Sequence, residues 1–348
     1  KHLWSVTFSI CLMAFTSYAA LDTFALARVY KQDATEINTS MFAETSPTET
    51  AAETDSSATT STKTTKTSET SKTSEKGRRH ERREADGAQS SEADATSSTT
   101  TATASSSAQS GDYSDDNVSV KLSTYTVANT TVHVADVTVS SAEYLKTAFA
   151  NDTYGKNVTA TTSSMASSHD AVLAINGDNY GSRERGYVIR NGVVYRDVAD
   201  ESDVLCIYAD GSFEVVDPST VSAQQLVDQG VWQAFSFGPA LVQDGAVSVS
   251  QDEEVGRAKA SNPRTAIGII DNNHYVFVVS DGRTSESEGL SLYQLAQFMQ
   301  QQLGVTCAYN LDGGGSSTMV FEGAVVNSPT TNGNRIEERN VNDIVYIG

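Results

Sequence analysis

Asn262-Pro-Arg-Thr-Ala-Ile-Gly-Ile-Ile-Asp-Asn-Asn-His-Tyr-Val-Phe-Val-Val-Ser-Asp-Gly-Arg283 is the stretch that decides the fold. Thr265–Ile270 and Tyr275–Ser280 are runs of β-branched and aromatic residues, and Asp271-Asn-Asn-His274 between them is turn chemistry. The segment therefore reads as two strands of a hairpin. The same pattern extends in both directions. Val118–Val127 and Thr131–Val139 alternate, and Ala171–Ile175 is a short apolar run. Tyr187–Arg190 and Val193–Arg196 flank Asn191-Gly192, a type I′ turn signal because both central positions need positive φ. Val204–Tyr208 and Phe213–Val216 flank Ala209-Asp-Gly211, and Val305–Leu311, Thr318–Phe321 and Asn342–Ile347 complete the strands.

Helices are fewer. Ser291-Leu-Tyr-Gln294 is a capping box, followed by an apolar stripe of Leu292, Leu295, Ala296, Met299 and Leu303 with Gly304 as its stop. Ser222-Ala-Gln-Gln225 opens a short helix that ends near Gly230, and Ser141–Ala150 and Thr161–His169 read as two more. Many hairpins with a few segregated helices predict an α+β fold: a mixed, mostly antiparallel β-sheet core with a few helices packed on it.

This folded part spans residues 118–348, and two regions of other character precede it. Residues 1–31 contain Leu3–Leu21, nineteen residues without a charge, nearly enough to cross a hydrocarbon core of about 30 Å. The segment reads as a single-pass transmembrane anchor. A cleaved secretory signal is the rival reading, since Ser17-Tyr18-Ala19 resembles a small-x-small cleavage site. Either reading puts the remainder outside the cytoplasm, and the first makes this a cell-membrane protein with an extracytoplasmic domain. Residues 32–117 are a Ser/Thr/Glu-rich linker. Its stretch Ala43–Asp112 holds 70 residues without a Val, Ile, Leu, Met, Phe, Tyr, Trp or Cys. With nothing to bury it is expected to stay disordered, and as a coil it would reach roughly 45 Å and hold the domain away from a membrane.

Charge and composition exclude several functions. The chain carries 24 basic and 44 acidic residues, and residues 118–348 carry 13 and 27. That excess repels phosphate backbones, so no nucleic acid partner is expected. Three cysteines cannot form a disulfide scaffold, and Cys206 and Cys307 lie in apolar runs that suit buried free thiols; a bond between them would need a geometry that sequence does not reveal. His133, His169 and His274 lack metal-ligand spacing, and no EF-hand pattern appears among the carboxylates, so no metal or cofactor is expected.

Polar and glycine residues collect at strand ends in four places: Ala174-Ile-Asn-Gly-Asp-Asn-Tyr-Gly181, Asn262-Pro-Arg-Thr265, Ser280-Asp-Gly-Arg283 and Asn310-Leu-Asp-Gly-Gly-Gly-Ser-Ser-Thr318. Each alone has an ordinary reading, a turn or a flexible bulge. The triple glycine costs backbone entropy, and its bare N–H groups suit an anion-binding nest. It is neither a P-loop nor a nucleophile elbow, because no Gly-Lys-Ser/Thr and no Gly-x-Ser-x-Gly is present. Together the four places offer carboxylates, backbone donors and two arginines, a set suited to an oxyanion.

At these places the sequence resembles the phosphodiester glycosidase family, which includes the uncovering enzyme that removes N-acetylglucosamine from a sugar phosphodiester. The resemblance rests on Ala174-Ile-Asn-Gly177, Phe237-Gly-Pro-Ala-Leu-Val242, Asn262-Pro-Arg-Thr-Ala-Ile-Gly268, Asp281-Gly-Arg283, Asn310-Leu-Asp-Gly-Gly-Gly-Ser-Ser-Thr-Met319 and Glu338-Arg-Asn-Val-Asn-Asp343. The sequence departs from it at Asp178 and Asn179, where glycine and an aromatic are frequent, and at Asn340, where proline is. Ala20-Leu-Asp-Thr-Phe24 is similar to anchored Gram-positive members.

The resemblance implies hydrolysis of a glycosyl-1-phosphodiester at the sugar C1–O bond, in a phosphate-linked glycan of the envelope such as an exopolysaccharide or teichoic-acid-like polymer. It implies catalytic roles for Asp312, Asp281 and Asp178. Substrate and phosphate contacts would fall to Asn176, Gly177, Arg264, Thr265, Arg283, Asn310, Gly313, Gly314, Gly315, Ser316, Ser317 and Arg339. Arg264 and Arg283 would hold the phosphate, and the glycine amides with Ser316 would finish its cradle. Two other functions compete: a non-catalytic cell-wall glycan-binding module, and an exopolysaccharide-modifying transglycosidase.

Overall fold

The computed structural model describes residues 3–45, 105–106, 111–252 and 261–348. Most of the expected linker lies outside these residues.

The folded unit is built from three main antiparallel sheets. The largest centres on the hairpin Arg264–Asp271/His274–Ser280, in full register from Arg264↔Ser280 to Ile269↔Tyr275. Cys307–Asn310 and then Ala240–Gln243 extend it on one side; Thr130–Val139 and Val118–Val127 extend it on the other. A second sheet orders Val193–Arg196, Val188–Arg190, Val231–Phe235, Val204–Tyr208 and Phe213–Val216. The third orders Ala324–Val325, Met319–Phe321, Leu173–Asn176, Asp343–Ile347 and Leu145–Phe149. This is the α+β architecture that the hairpin pattern predicts.

One core joins all three sheets: Ile267, Phe277 and Tyr309 from the first, Leu205 and Phe235 from the second, Ile175, Val345 and Leu145 from the third. The central hairpin lacks polar alternation because both its faces are covered. Ala266, Val276 and Val278 point to the opposite side, where Leu292, Leu295, Ala296 and Met299 of the helix Leu292–Gln302 cover them. Ser291 and Gln294 form the reciprocal capping box there. Ser222 and Gln225 do the same for Ala223–Asp228, and Thr161 caps Thr162–Ser168. Asn191 and Gly192 both take positive φ, as the hairpin turn requires.

Ser141–Ala150 is not a helix. A single 3₁₀ turn, Ala142–Tyr144, leads into the strand Leu145–Phe149, which pairs along its whole length with Asp343–Ile347. Its long-range partner overrides its local helix propensity. Cys206 and Cys307 are free thiols, and burial raises the pKa of both, that of Cys307 to about 12.

Leu3–Phe24 is a helix, and its Trp4–Thr23 is long and apolar enough to cross a membrane; a signal sequence would look the same. The residues that follow do not leave the folded unit. Arg28–Lys31 pairs with Tyr154–Lys156, and the Ala34 N–H donates to Asp152 O (2.7 Å). The Asn38 N–H donates to Asn191 O (2.9 Å), and Phe42 meets Trp232 edge-on with ring centroids 5.0 Å apart. The Asn157 side chain donates to Leu26 O (2.9 Å). Residues 32–45, linker by composition, are thus a strap on the domain. Asp112–Ser114 likewise joins the large sheet at Val118–Val127.

Ile267 tests the shared core because it is fully buried there. Ile267→Ala should lower unfolding stability by about 2–5 kcal/mol, read by urea denaturation of the detergent-solubilised chain. A loss under about 1 kcal/mol would mean that the sheets do not share a close-packed centre.

Candidate active site

The site is organised by a buried amide. The strand Leu173–Asn176 ends on Asn176, which is fully buried. Its Nδ2 donates to Asp312 O (2.6 Å), and its Oδ1 accepts from Thr265 Oγ1 (2.8 Å) and the Thr318 N–H (3.2 Å). One side chain thereby ties the third sheet to the central hairpin and to both ends of the triple-glycine loop. Gly177 continues the tie: its N–H donates to Asp343 O (2.9 Å), and its carbonyl accepts from the Asp312 N–H (3.2 Å). A Cβ at Gly177 would lie 2.3 Å from Asp343 Oδ1, so the close approach excludes a side chain.

Above this tie lies a cleft of about 160 Å³. That is small beside the several hundred Å³ of an enclosed ligand pocket. Its wall carries Arg264, Arg283 and Arg339, the carboxylate Asp312, the amides Asn262 and Asn310, the ring of Phe237, and Gly313 and Gly314. Among the described residues Asp312 is the one acid on that wall.

Each arginine is fixed differently. Arg264 is almost wholly buried, and its Nε donates to Leu290 O (2.9 Å). Arg283 sits at left-handed φ (63°), a backbone state rare for a non-glycine residue and most often retained at functional sites. Its Nη2 donates to Asn262 Oδ1 (2.9 Å) and its Nη1 to Thr331 O (2.5 Å). Burial and the charge of Arg339 both lower its pKa. Arg339 reaches across to Asp312 Oδ2 (Nη2, 3.0 Å) and to Ser316 Oγ (Nε, 3.0 Å). Guanidinium groups gathered this closely oppose one another, and a bound anion would relieve the conflict.

Asp312 follows the strand Cys307–Asn310. Its Oδ2 accepts from Ser316 Oγ (2.5 Å) and from Arg339. Burial still raises its pKa above the usual carboxylate value, against the pull of Arg339 and Ser316. The triple glycine is needed for close approach more than for a nest. The Gly314 N–H is taken by Pro263 O (2.8 Å), and a Cβ on Gly314, itself at positive φ, would come 2.8 Å from Arg283 Nη2. A Cβ on Gly315 would meet Thr331 Oγ1 at 2.5 Å. The Ser317 N–H donates to Gly314 O (3.2 Å), closing the loop on itself.

The other two acids proposed from sequence lie elsewhere. Asp178 is buried, with Oδ1 2.8 Å from Arg190 Nη2 and Oδ2 accepting from the Ser236 N–H (3.1 Å). The same guanidinium binds Asp343 Oδ2 through Nε (3.1 Å) and Nη2 (2.8 Å), so Arg190 clamps two carboxylates beneath the cleft. Asp281 accepts from the Ser328 N–H (2.8 Å) and faces His133 Nε2 at 3.3 Å, behind the cleft wall. Asn176 and Thr265 are spent on each other and on backbone.

Arg190, Arg183, Asn262 and Phe237 were not singled out from the sequence. Arg183 lies 4.9 Å from the Phe237 ring centroid and donates to Ser236 O (2.8 Å), steadying the aromatic wall. Phe237 and Asn262 open two of the segments that carry the family resemblance, and each stands just before a backbone break, Gly238-Pro239 and Pro263, but neither was given a role of its own.

A profile of the phosphodiester glycosidase family matches residues 169–348, and the chain belongs to that family. Over 181 residues it is 30% identical to the SPbeta prophage-derived uncharacterized protein YomE of Bacillus subtilis (strain 168), covering 50% of this chain and 28% of that protein. Over 121 residues it is 32% identical to the N-acetylglucosamine-1-phosphodiester alpha-N-acetylglucosaminidase of Mus musculus, covering 34% of this chain and 23% of that one. The chain thus spans about a quarter of the length of these curated relatives. The zebrafish catalytic domain of the same name, auto-inhibited by its pro-peptide, shares the fold: TM-score 0.51, 20% identity, 70% of this chain and 83% of that one covered.

The carboxylate clamp predicts a pH dependence. Burial raises the Asp343 pKa from 3.8 to about 7, the charge of Asp178 adding to the effect and Arg190 opposing it. A carboxyl with a raised folded pKa binds more protons in the native state, so its contribution to stability is lost as pH rises from about 4 through about 7. Thermal unfolding should show that decline, and Asp343→Asn should flatten it. An equally steep decline in the variant would place the titration elsewhere.

Proposed function

We propose that the chain is a hydrolase that cleaves the C1–O bond of a sugar-1-phosphodiester. The observation that carries this reading is the cleft: three arginines around one buried carboxylate, in a domain whose net charge is −14. Such a site rejects most of the protein's own chemistry and selects an anion.

Arg264 and Arg283 take the phosphodiester oxygens. Asp312, steadied by Arg339 and Ser316, faces C1 and removes a proton from the attacking water, or attacks C1 itself before water releases the sugar. In the direct course, water oxygen bonds to C1, the C1–O bond breaks, and its electron pair leaves on the phosphate. The products are the free sugar and a phosphate monoester. Most glycosidases need a second carboxyl group to protonate the leaving oxygen. A phosphate leaving group does not, because the arginines stabilise its charge, and this agrees with a single acid on the cleft wall. Family membership and the reaction stated in the mouse relative's name support the same class. The apolar N-terminal helix is long enough to hold the enzyme at a membrane, where phosphate-linked envelope glycan would be the substrate at hand.

The purified chain should release free sugar from a glycosyl-1-phosphodiester and act poorly on the matching alkyl glycoside. Asp312→Asn should reduce turnover by about 10²–10⁴-fold, and Arg283→Ala by about 10²–10³-fold, with folding retained by circular dichroism. Binding without turnover would replace the hydrolase with a glycan-binding module, and equal rates on alkyl glycosides would remove the arginines from the mechanism.

A further inference from the structure

Asn310 ends the strand Cys307–Asn310 and is 1% exposed, yet it lies on the cleft wall beside Phe237. Its Nδ2 donates to Gly238 O (2.8 Å), and its own N–H donates to Pro239 O (3.2 Å). Its Oδ1 has no hydrogen-bond partner among the described residues. The orientation of the amide is dictated by its neighbour: turned over, it would set Oδ1 against the Gly238 carbonyl, acceptor against acceptor. The atom left over is therefore an acceptor. It cannot serve the phosphate, which carries only acceptors at its charged oxygens, and it requires a donor. Buried acceptors without partners are rare in folded proteins, and a site built around one discriminates strongly for a ligand that completes it.

We infer that Asn310 Oδ1 is the specificity-determining acceptor of the cleft. It takes a hydroxyl or acetamido N–H of the sugar while the Phe237 ring lines the apolar side of the same subsite. The inference rests on the phosphodiester reading and deepens it: the arginines read the phosphate, and Asn310 reads the sugar. A ring bearing a donor within reach of Asn310 is accepted, and the same ring without that donor is penalised by roughly tenfold in affinity.

The test uses calorimetric titration of the full chain in detergent, which needs no turnover. The probes are non-hydrolysable methylene phosphonate monoesters of glucose, of N-acetylglucosamine, and of the four monodeoxy glucoses lacking the 2-, 3-, 4- or 6-hydroxyl. The wild-type chain should lose roughly tenfold in affinity for one deoxy probe. The glucose and N-acetylglucosamine arms tell a hydroxyl from an amide donor. Asn310→Leu should bring that ratio to within about twofold, while Asn310→Asp, which keeps an acceptor oxygen, should preserve it. The ratio cancels any general loss of affinity, and the ligand series in the wild type stands even if Asn310→Leu does not fold. An unchanged ratio in Asn310→Leu, or a wild type indifferent both to every hydroxyl and to the acetamido group, overturns the assignment. Flat titrations with all six probes overturn the phosphodiester reading itself, and the assignment with it.

Discussion

The buried Asn176 amide is the constraint on which the site depends. Three of its hydrogen bonds reach Asp312, Thr265 and Thr318, which belong to different parts of the chain. A buried amide left half-satisfied is costly, so these groups must arrive together or not at all. Their arrival places the Asp312 carboxylate, the strand that begins at Arg264 and the glycine loop around one hollow. The position of the cleft is thus a consequence of core polar bonding and does not rely on loop flexibility.

The electrostatics are layered. Beneath the cleft Arg190 neutralises one charge of the Asp178/Asp343 pair and leaves the other in a site with no water-like surroundings. On the wall the balance reverses, with three cations and one anion. The general acidity of the surface keeps other anions at a distance, while the hollow remains locally positive. Anchoring by the Asn262 side chain and by the Leu290 and Thr331 carbonyls lets the arginines stay in place despite their mutual repulsion.

Much of the fold was legible. The hairpin Arg264–Ser280, the Asn191-Gly192 turn and the Ser291 capping box are local signals, and their residues act where they stand. Leu145–Phe149 was not legible, because its five residues become a strand only through a partner two hundred positions away. The site was legible as a set of segments but not as a set of roles. Asp178, Asp281 and Asp312 all follow strands in polar loops, and nothing local separates them. Their partners do: an arginine and a backbone amide for Asp178, a histidine and backbone amide for Asp281, a serine and a cleft-lining arginine for Asp312. Arg190 sits in a hairpin strand among apolar residues, and its task depends on Asp343, 153 residues further along. The strap at 28–45 was hidden for a related reason, since its anchoring partners lie across the unmatched Ser/Thr-rich region.

That strap alters how the molecule would be carried on a bilayer. Only residues 25–27 separate the apolar helix from the strand Arg28–Lys31, which is already bonded to the domain. The stand-off of the globule from its helix is written in three residues and one short β-ladder.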